Sequence, residues 1–390
     1  MKRICKTTLC LVLCLALLLA FALTGCKQEN AAEEPEIEIT STTAPVQPGK
    51  IIDQGSCGEH LSWKLDENGL LIIEGSGDMD SSYLIVAGGE GVDNRPLFWN
   101  GHGKEIKAVV LPDGLKSISQ HAFADCTALE SVILPEGIEA IGAHAFRGCT
   151  ALTCIVIPDS VTRVEGAEFY GCSALTSVKL GKGLDSISPY MFRECSSLKH
   201  VILPEGIKAI GFAAFWGCTA LTSVTLPDSV TDVSQGAFAS CIALTKLEIG
   251  KAASFISPYA FANLPALSAI HVDADNPAFA AQDGVLFDKD QKTLIQYPAG
   301  KQDASYEIPD GVTSIEEGAF SHCNALCDIT IPASVLEIGN KTMNELKIPT
   351  GMKSISDSAF VGCDSLVLRV TRDSYAESYA KEYNLPFEWK

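Results

Sequence analysis

The chain is poor in basic residues, and this scarcity narrows its possible partners. Its 390 residues include 29 lysines and arginines but 48 aspartates and glutamates, which gives a formal net charge of −19. Because nucleic acids are bound mainly through Lys and Arg contacts to phosphate, this balance argues against a nucleic-acid partner. It also argues against electrostatic attraction to an anionic membrane surface. With 20% charged and 47% hydrophobic residues, the chain is too apolar to be disordered.

Signatures of catalysis and metal binding are missing as well. The sequence has no P-loop, nucleophile elbow, zincin helix, EF-hand loop or dinucleotide fingerprint, and no C-x-x-C pair. His121 and His144 share a repeat position and are expected about 5 Å apart. No Cys or carboxylate occupies that position in other repeats, so a tolerant surface position is favoured over a metal site. The sequence therefore predicts no catalytic residue, no metal and no cofactor.

One long apolar run is present, from Leu9 to Ala22, and it is too short to span a membrane comfortably as a permanent helix. Three basic residues precede it, and Leu23-Thr24-Gly25-Cys26 follows it and resembles the lipobox of bacterial lipoproteins. The resemblance implies a signal peptide at residues 1–25 and lipidation of Cys26, which would anchor the protein to the outer face of a bacterial membrane. A plain signal peptide is the alternative. Residues 26–50 are acidic and rich in Pro and Thr, and they predict a flexible tether.

The dominant feature of the sequence is a 23-residue repeat, A-F-x-x-C-x-x-L-x-x-V-x-L-P-x-x-I-x-x-I-x-x-x, which is marked by regularly spaced phenylalanines. Alternating apolar pairs in each unit predict a short strand with one buried face, and the proline that usually follows ends it. One coil cannot bury its own core, so the coils must stack into one solenoid. The series comprises Phe123, Phe146, Phe169, Phe192, Phe215, Phe238 and Phe261, continued after irregular gaps by Phe320 and Phe360.

The segments around the repeats predict the rest of the domain organisation. Residues 51–103 contain alternating strands joined by a turn at Asn68-Gly69 and form an N-terminal β cap. The solenoid spans 104–368, with a β-hairpin at about 273–308 that protrudes from one coil. Met343 lies one full repeat after Phe320, so it takes the Phe position, and a shortened coil follows. Residues 369–390 include a short capping helix that Asp373 or Ser374 would cap.

The unit C-x-x-L-x-x-V-x-L-P-x-x-I-x-x-I-x-x-x-A-F resembles the treponemal, or BspA-like, class of leucine-rich repeats. Gly55-Ser56-Cys57-Gly58 resembles the N-terminal cap of that family, and Asp283-Gly284-Val285-Leu286-Phe287 and Ser374-Tyr375-Ala376-Glu377 also recur in such proteins. The resemblance covers about 51–390. It implies a β-rich leucine-rich-repeat solenoid, right-handed, with about ten 23-residue coils, an N-terminal β cap and a C-terminal helical cap. It also implies a surface protein that binds host, microbial or matrix partners.

Most cysteines occupy a single repeat position, three residues after Phe. In a parallel stack they form an inward-facing ladder, and free Cys behaves as a small buried hydrophobe. Leu264 and Leu346 at the same position favour buried thiols, while disulfides between adjacent coils remain possible in an exported protein. Cys57, Cys154 and Cys327 lie off this ladder. Its members are Cys126, Cys149, Cys172, Cys195, Cys218, Cys241, Cys323 and Cys363.

Two rows of variable side chains are candidates for ligand binding. The first is the residue after Phe, where cationic and aromatic residues alternate within cation–π range, with two further aromatics beside them. A self-satisfied stack that stiffens the surface is the alternative. The second row lies between the buried strand positions and begins with apolar residues, which a cap or loop could instead cover. The first set is Arg147, Tyr170, Arg193, Trp216, Tyr190 and Phe212, and the second is Ile133, Val156, Lys179 and Ile202.

Taken together, these features predict a lipid-anchored cell-surface protein that binds an unidentified protein or glycan without catalysis. A structural or envelope-organising role is the alternative, and an enzyme or enzyme subunit is a distant third.

Overall fold

The computed structural model describes residues 48–80, 98–338 and 366–390. The chain divides into two units, Met1–Gln47 and Pro48–Lys390, and all of the described residues belong to the second. The predicted lipidation site Cys26, the repeat residues Met343 and Phe360, and the ladder residue Cys363 lie outside the described residues.

Three antiparallel strands open the second unit. Gly69 adopts φ +86° in the turn before the third strand, and its N–H donates to the carbonyl oxygen of Asp66. The buried Asp66 carboxylate also accepts the backbone N–H groups of Gly49, Asn68 and Leu70. The third strand continues with parallel pairing, to β4 (Ala108–Val110) through its first half and to β5 (Gly114–Ile118) through its second, so it starts both sheets of the solenoid. The strands are β1 (Ile51–Gly58), β2 (Leu61–Asp66), β3 (Leu70–Asp78), β4 (Ala108–Val110) and β5 (Gly114–Ile118).

Each following coil contributes one strand to each of two parallel rows, and paired residues are one repeat apart, as in Val178 opposite Val201. The β-rich solenoid that the sequence predicts is therefore confirmed. The first row continues with β6 (Ser131–Val132), β8 (Cys154–Val156), β10 (Ser177–Lys179), β12 (His200–Ile202), β14 (Ser223–Leu226), β16 (Lys246–Ile249) and β18 (Ala269–Val272). The second row continues with β7 (Ala140–Ile141), β9 (Arg163–Val164), β11 (Ser186–Ile187), β13 (Ala209–Ile210), β15 (Asp232–Val233) and β17 (Phe255–Ile256).

A ladder of stacked phenylalanine rings runs through the core. Neighbouring rings from Phe123 to Phe261 are 5.1–6.0 Å apart between centroids and nearly parallel. Trp99 extends the ladder at its N-terminal end, because its ring stacks on Phe123 at 5.4 Å and its Nε1–H donates to the carbonyl oxygen of Ala122 at 2.7 Å. Trp63 meets Trp99 edge to face. Trp63 of β2 and Trp99 of the 3₁₀ segment Phe98–Glu105 therefore cover this end of the stack.

The segment after Phe261 departs from the prediction of a protruding hairpin. The predicted strands form, but as part of a three-stranded antiparallel meander whose middle strand is buried at Val285, Leu286 and Phe287. Val285 and Phe287 face one hydrophobic cluster and Leu286 faces the other, so the middle strand lies between two parts of the core. The third strand joins the second row of the solenoid through parallel pairing with β23 (Ser314–Ile315). The meander is β19 (Phe279–Gln282), β20 (Val285–Asp288) and β21 (Thr293–Gln296), and β23 is Ser314–Ile315.

Tyr297 explains this placement, because it lies one full repeat before Phe320 and occupies the Phe position. Its buried ring stacks on Phe320 at 5.4 Å. The additional residues therefore fall between Phe261 and Tyr297, and the next coil has the ordinary length. The C-terminal part comprises β22 (Ser305–Glu307), β24 (Asp328–Thr330), β25 (Glu337–Ile338), β26 (Val367–Val370), α1 (Tyr375–Glu382) and β27 (Phe387–Trp389).

Helix α1 has the N-cap that the sequence suggests. The Ser374 hydroxyl accepts the N–H of Glu377, and the Glu377 carboxylate accepts the N–H of Asp373 in return. Ala376, Tyr379 and Ala380 pack into the last part of the core.

Candidate functional site

Two left-handed residues flank each described Phe of the series, and the residues after Phe146, Phe169, Phe192 and Phe215 are exposed or partly exposed. The residues two before and two after Phe adopt positive φ, for example Tyr190 (59°) and Glu194 (60°) around Phe192. The N–H of the residue after Phe donates to the carbonyl oxygen of the residue two positions before Phe. Around Phe192, the Arg193 N–H donates to the Tyr190 carbonyl oxygen at 3.1 Å. Phe192 itself points inward and is fully buried. The repeat therefore brings the side chains two before and one after Phe together on one surface.

On this surface the structure brings together all six residues of the first predicted set, which we call the aromatic–arginine patch. The Arg147 guanidinium lies 5.4 Å from the centroid of the Tyr170 ring, and Arg193 approaches the same ring at 5.6 Å. Tyr190 and Phe212 meet edge to face at 5.2 Å. Arg147 is exposed, and Phe212 is 37% exposed. The patch comprises Arg147, Tyr170, Tyr190, Arg193, Phe212 and Trp216.

Arg193 is the centre of the patch. Its guanidinium lies over Trp216 at 4.4 Å and over Tyr190 at 5.6 Å, in addition to Tyr170. Its Nε also pairs with the Glu194 carboxylate at 3.4 Å. Each cation–π contact at such a half-exposed site contributes about 0.5–1 kcal/mol. These contacts hold flexible side chains in one arrangement before any ligand arrives, which lowers the entropic cost of binding.

The patch has definite ends, which the predicted set of six residues does not include. The equivalent residue is Ala124 on the coil before Arg147 and Ala239 on the coil after Trp216. Four large side chains therefore stand between two alanines. Abrupt changes in side-chain size along this repeat position are the sequence signal that marks both ends.

The second predicted row lies on the outer face of the first strand row. Ile133 is 57% exposed, Ile202 is 53% exposed, Lys179 is exposed and Val156 is partly exposed. Val110, one full repeat before Ile133, is 50% exposed and extends the row by one coil. Sequence reasoning missed Val110 although it obeys the same spacing, because its coil precedes the first well-kept repeat.

The described ladder cysteines are buried and carry free thiols. Each Sγ from Cys149 to Cys241 lies 3.1–3.2 Å from a phenylalanine carbonyl oxygen of the preceding coil. Burial raises the pKa of Cys241 to about 12 and that of Cys57 to about 12. Of the cysteines off the ladder, Cys57 is buried, Cys154 is partly exposed and Cys327 is exposed.

His121 and His144 stack at 4.7 Å between ring centroids, close to the expected spacing. Burial and the nearby Arg147 lower the pKa of His144. Within the described ranges, no group of three His, Cys, Asp or Glu side chains could hold a metal ion. Over the same residues, no helix is both long enough and apolar enough to cross a membrane.

Glu168 is a buried polar residue that replaces the alanine usually found before Phe. Its carboxylate accepts the N–H groups of Glu165 and Gly166 and the hydroxyl of Ser188 at 2.5–2.6 Å. Burial raises the pKa of Glu168, and these hydrogen bonds oppose that shift. The sequence shows the substitution, but its partners become visible only when neighbouring coils are stacked.

Several solved structures are similar to this chain. A leucine-rich cell-surface protein from Faecalibacterium prausnitzii is 25% identical, with a TM-score of 0.50 over 88% of this chain and 96% of that one. A leucine-rich repeat protein from Eubacterium ventriosum is 21% identical, with a TM-score of 0.42 over 83% and 73%. The pneumococcal vaccine antigen PcpA is 21% identical, with a TM-score of 0.47 over 74% and 66%. No curated protein matches.

A family model settles the classification that the repeat suggests. The model for the BspA-type leucine-rich repeat region matches residues 98–219, 185–278 and 301–370. These ranges cover more than half of the chain. The chain therefore belongs to the BspA-type leucine-rich repeat family.

Proposed function

We propose that this protein is a non-catalytic binding protein of the cell surface, anchored by lipid at Cys26. Its ligand is a protein or a glycan that binds at the aromatic–arginine patch. The leucine-rich-repeat fold supports this proposal, because a stack of coils presents variable side chains on a rigid frame. The similarity to a cell-surface protein of Faecalibacterium supports the location.

The observation on which the proposal depends is the pre-assembled stack around Arg193. Trp, Tyr and Arg are the residues most enriched at binding hot spots. Here two arginines, two tyrosines and a tryptophan meet on consecutive coils, and Arg193 contacts three rings at once.

A double substitution at the centre of the patch tests the proposal. The full-length protein is applied to an array of host-cell proteins, matrix proteins and glycans, beside the variant with Arg193→Ala and Trp216→Ala. We expect the variant to lose retention on the ligand that the parent binds while it keeps the fold, with only a small fall in melting temperature, since both side chains are partly exposed.

The matched control changes the second row, through Ile133→Ser and Ile202→Ser, and should retain the ligand. Full retention by the patch variant contradicts the site. Loss of retention by the control alone would place binding on the second row instead.

A further inference from the structure

The 3₁₀ segment Phe98–Glu105, which we call the capping segment, has an unusual backbone conformation. Trp99, Asn100 and Gly101 follow one another with φ values of 63°, 47° and 89°. Residues with a Cβ rarely adopt this left-handed region, so the conformations of Trp99 and Asn100 cost free energy that other contacts must offset. The stacking of Trp99 on Phe123 is one such contact. The capping segment therefore depends on the attachments that its side chains make.

The remaining attachments converge on Asp53 of β1. The Asn100 side-chain amide donates to Oδ2 of Asp53 at 2.9 Å, and Nε2 of His102 lies 3.3 Å from the same oxygen. Nδ1 of His102 lies 2.9 Å from Oε2 of Glu105. The His102 imidazole therefore lies between two carboxylates, one at each ring nitrogen, and 29% of its side chain is exposed to solvent.

This arrangement favours one protonation state of His102. An ionised carboxylate can only accept hydrogen bonds, and a neutral imidazole carries a proton on only one of its two nitrogens. A neutral His102 would direct a lone pair at either Asp53 or Glu105, whereas the imidazolium presents a proton to each of them. Both carboxylate contacts are therefore favourable only while His102 is protonated.

The charges around His102 come from β1 and from the capping segment itself. Within the described part of the chain, Asp53 and Glu105 are the charged groups that pair with its ring. On the first coil, the thiol of Cys126 packs beneath the segment, since a methyl group added to Gly103 would lie 3.6 Å from its Sγ. Burial raises the pKa of the Cys126 thiol, so this neighbour is uncharged.

Of these groups, His102 is the one whose charge can change near neutral pH. The hydrogen bonds from the Asn100 side chain and the Gln54 N–H, together with His102, lower the pKa of Asp53 below its ordinary value of 3.8. Asp53 therefore stays ionised above pH 5. Lys104 is exposed and forms no ion pair among the described residues. Histidine is the side chain that ordinarily changes its charge between pH 5 and 8.

We propose that His102 is a proton-sensitive latch that fastens the capping segment, and with it Trp99, to β1. While His102 is protonated, it holds Asp53 and Glu105 together and the latch is closed. When the proton leaves, one carboxylate contact becomes repulsive, and the capping segment opens more often from the end of the phenylalanine stack. The latch does not involve the aromatic–arginine patch, so its test is independent of the proposed function.

Hydrogen exchange followed by mass spectrometry tests the latch in the full-length protein at pH 5.5 and pH 8, with rates corrected for the intrinsic effect of pH. We expect the peptide that contains the capping segment to be about fivefold better protected at pH 5.5, because the loss of one such contact changes a local opening equilibrium by about this factor. The peptide that contains β13 reports any change that affects the protein as a whole.

His102→Gln removes the titratable ring and should abolish the difference in protection between the two pH values. The matched control is His60→Gln, because His60 also belongs to the N-terminal cap and lies 3.9 Å from Glu59, but is 73% exposed. This control should keep the difference. Asp53→Asn removes one of the two carboxylates and should reduce the difference, which keeps the test decisive if His102→Gln does not fold. Circular dichroism checks the fold of each variant.

Equal protection of the capping segment at both pH values in the parent would overturn the inference. A His102→Gln variant that keeps the difference would also overturn it, and so would a His60→Gln variant that loses it. An equal change in the β13 peptide would show that the response belongs to the whole protein and would contradict a local latch.

Discussion

At the scale of single residues, Glu168 is the clearest source of pH dependence. Its pKa is raised above the ordinary value of 4.5 because the carboxyl is buried. The folded state therefore binds this proton more tightly than the unfolded state does. Stability from this group is complete below the ordinary pKa and is lost as the pH rises through the raised pKa.

Glu168→Gln should therefore melt at a higher temperature than the parent at pH 7 to 8, and the gain should shrink at pH 4. The amide removes the buried charge and keeps an oxygen to accept the N–H groups of Glu165 and Gly166. Thermal melts at both pH values measure the effect. Exposed Glu205→Gln is the control and should leave the melting temperatures as in the parent. A lower melting temperature for Glu168→Gln at pH 8 would contradict the argument.

The six residues of the aromatic–arginine patch show which features of the site can be predicted from the sequence and which cannot. The 23-residue spacing predicted that Arg147, Tyr170, Arg193 and Trp216 would lie on consecutive coils, and they do. It could not predict that Arg193 contacts three rings at once, because that depends on the left-handed turns around Phe192 and on the direction in which each side chain leaves them. The repeat period determines which coils are neighbours, whereas backbone conformation determines which of their side chains meet.

At the scale of structural elements, the phenylalanine ladder is the main packing device. Phe192→Ala removes a ring that stacks on Phe169 at 5.6 Å and on Phe215 at 5.5 Å. We expect the free energy of unfolding to fall by about 3–5 kcal/mol, because a fully buried ring leaves a cavity. Urea denaturation measures the loss. The control Phe212→Ala, at a partly exposed site, should lower the free energy of unfolding by about 0.5 kcal/mol. Equal losses in the two variants would contradict the role of the phenylalanine ladder as the main packing contact.

The cysteine ladder makes a second prediction at this scale. In the folded protein a maleimide should modify the exposed Cys327 readily, and Cys195, Cys218 and Cys241 only after unfolding. The ladder thiols are inaccessible, and burial raises their pKa, which removes the reactive thiolate. Peptide mapping by mass spectrometry identifies the modified residues. Modification of Cys195 as fast as that of Cys327 would show that the ladder opens.

The meander shows where sequence reasoning stops for elements. Its strands could be predicted from the apolar pairs at 285–287 and 293–297. Its position inside the stack could not, because the coil that starts at Tyr297 lacks the usual marks. It has Tyr in place of Phe, Gly300 at the cysteine position and Asp303 at the leucine position. Only the spacing of one full repeat to Phe320 remains, and stacking on that ring depends on it.

At the scale of the whole molecule, location depends on Cys26. Cys26→Ala should move the protein from the membrane fraction into the medium, since acyl chains supply membrane affinity in proportion to their buried methylenes. Fractionation with an antibody against the chain measures the partition. Cys327→Ala is the control and should remain with the membrane. Continued membrane partition of the Cys26 variant would refute lipidation.

The meander has a further consequence for how the stack assembles. Nearly identical coils create an ambiguity, because a coil that pairs one position too early or too late would still bury similar side chains. Among the described residues, the strand between the two parts of the core occurs once, and so does the bond of 2.6 Å from the Tyr259 hydroxyl to the Glu317 carboxylate across the extra residues. A slipped arrangement would leave these contacts unmade. The contacts of the irregular coil therefore specify the register in which the coils on either side of it pair.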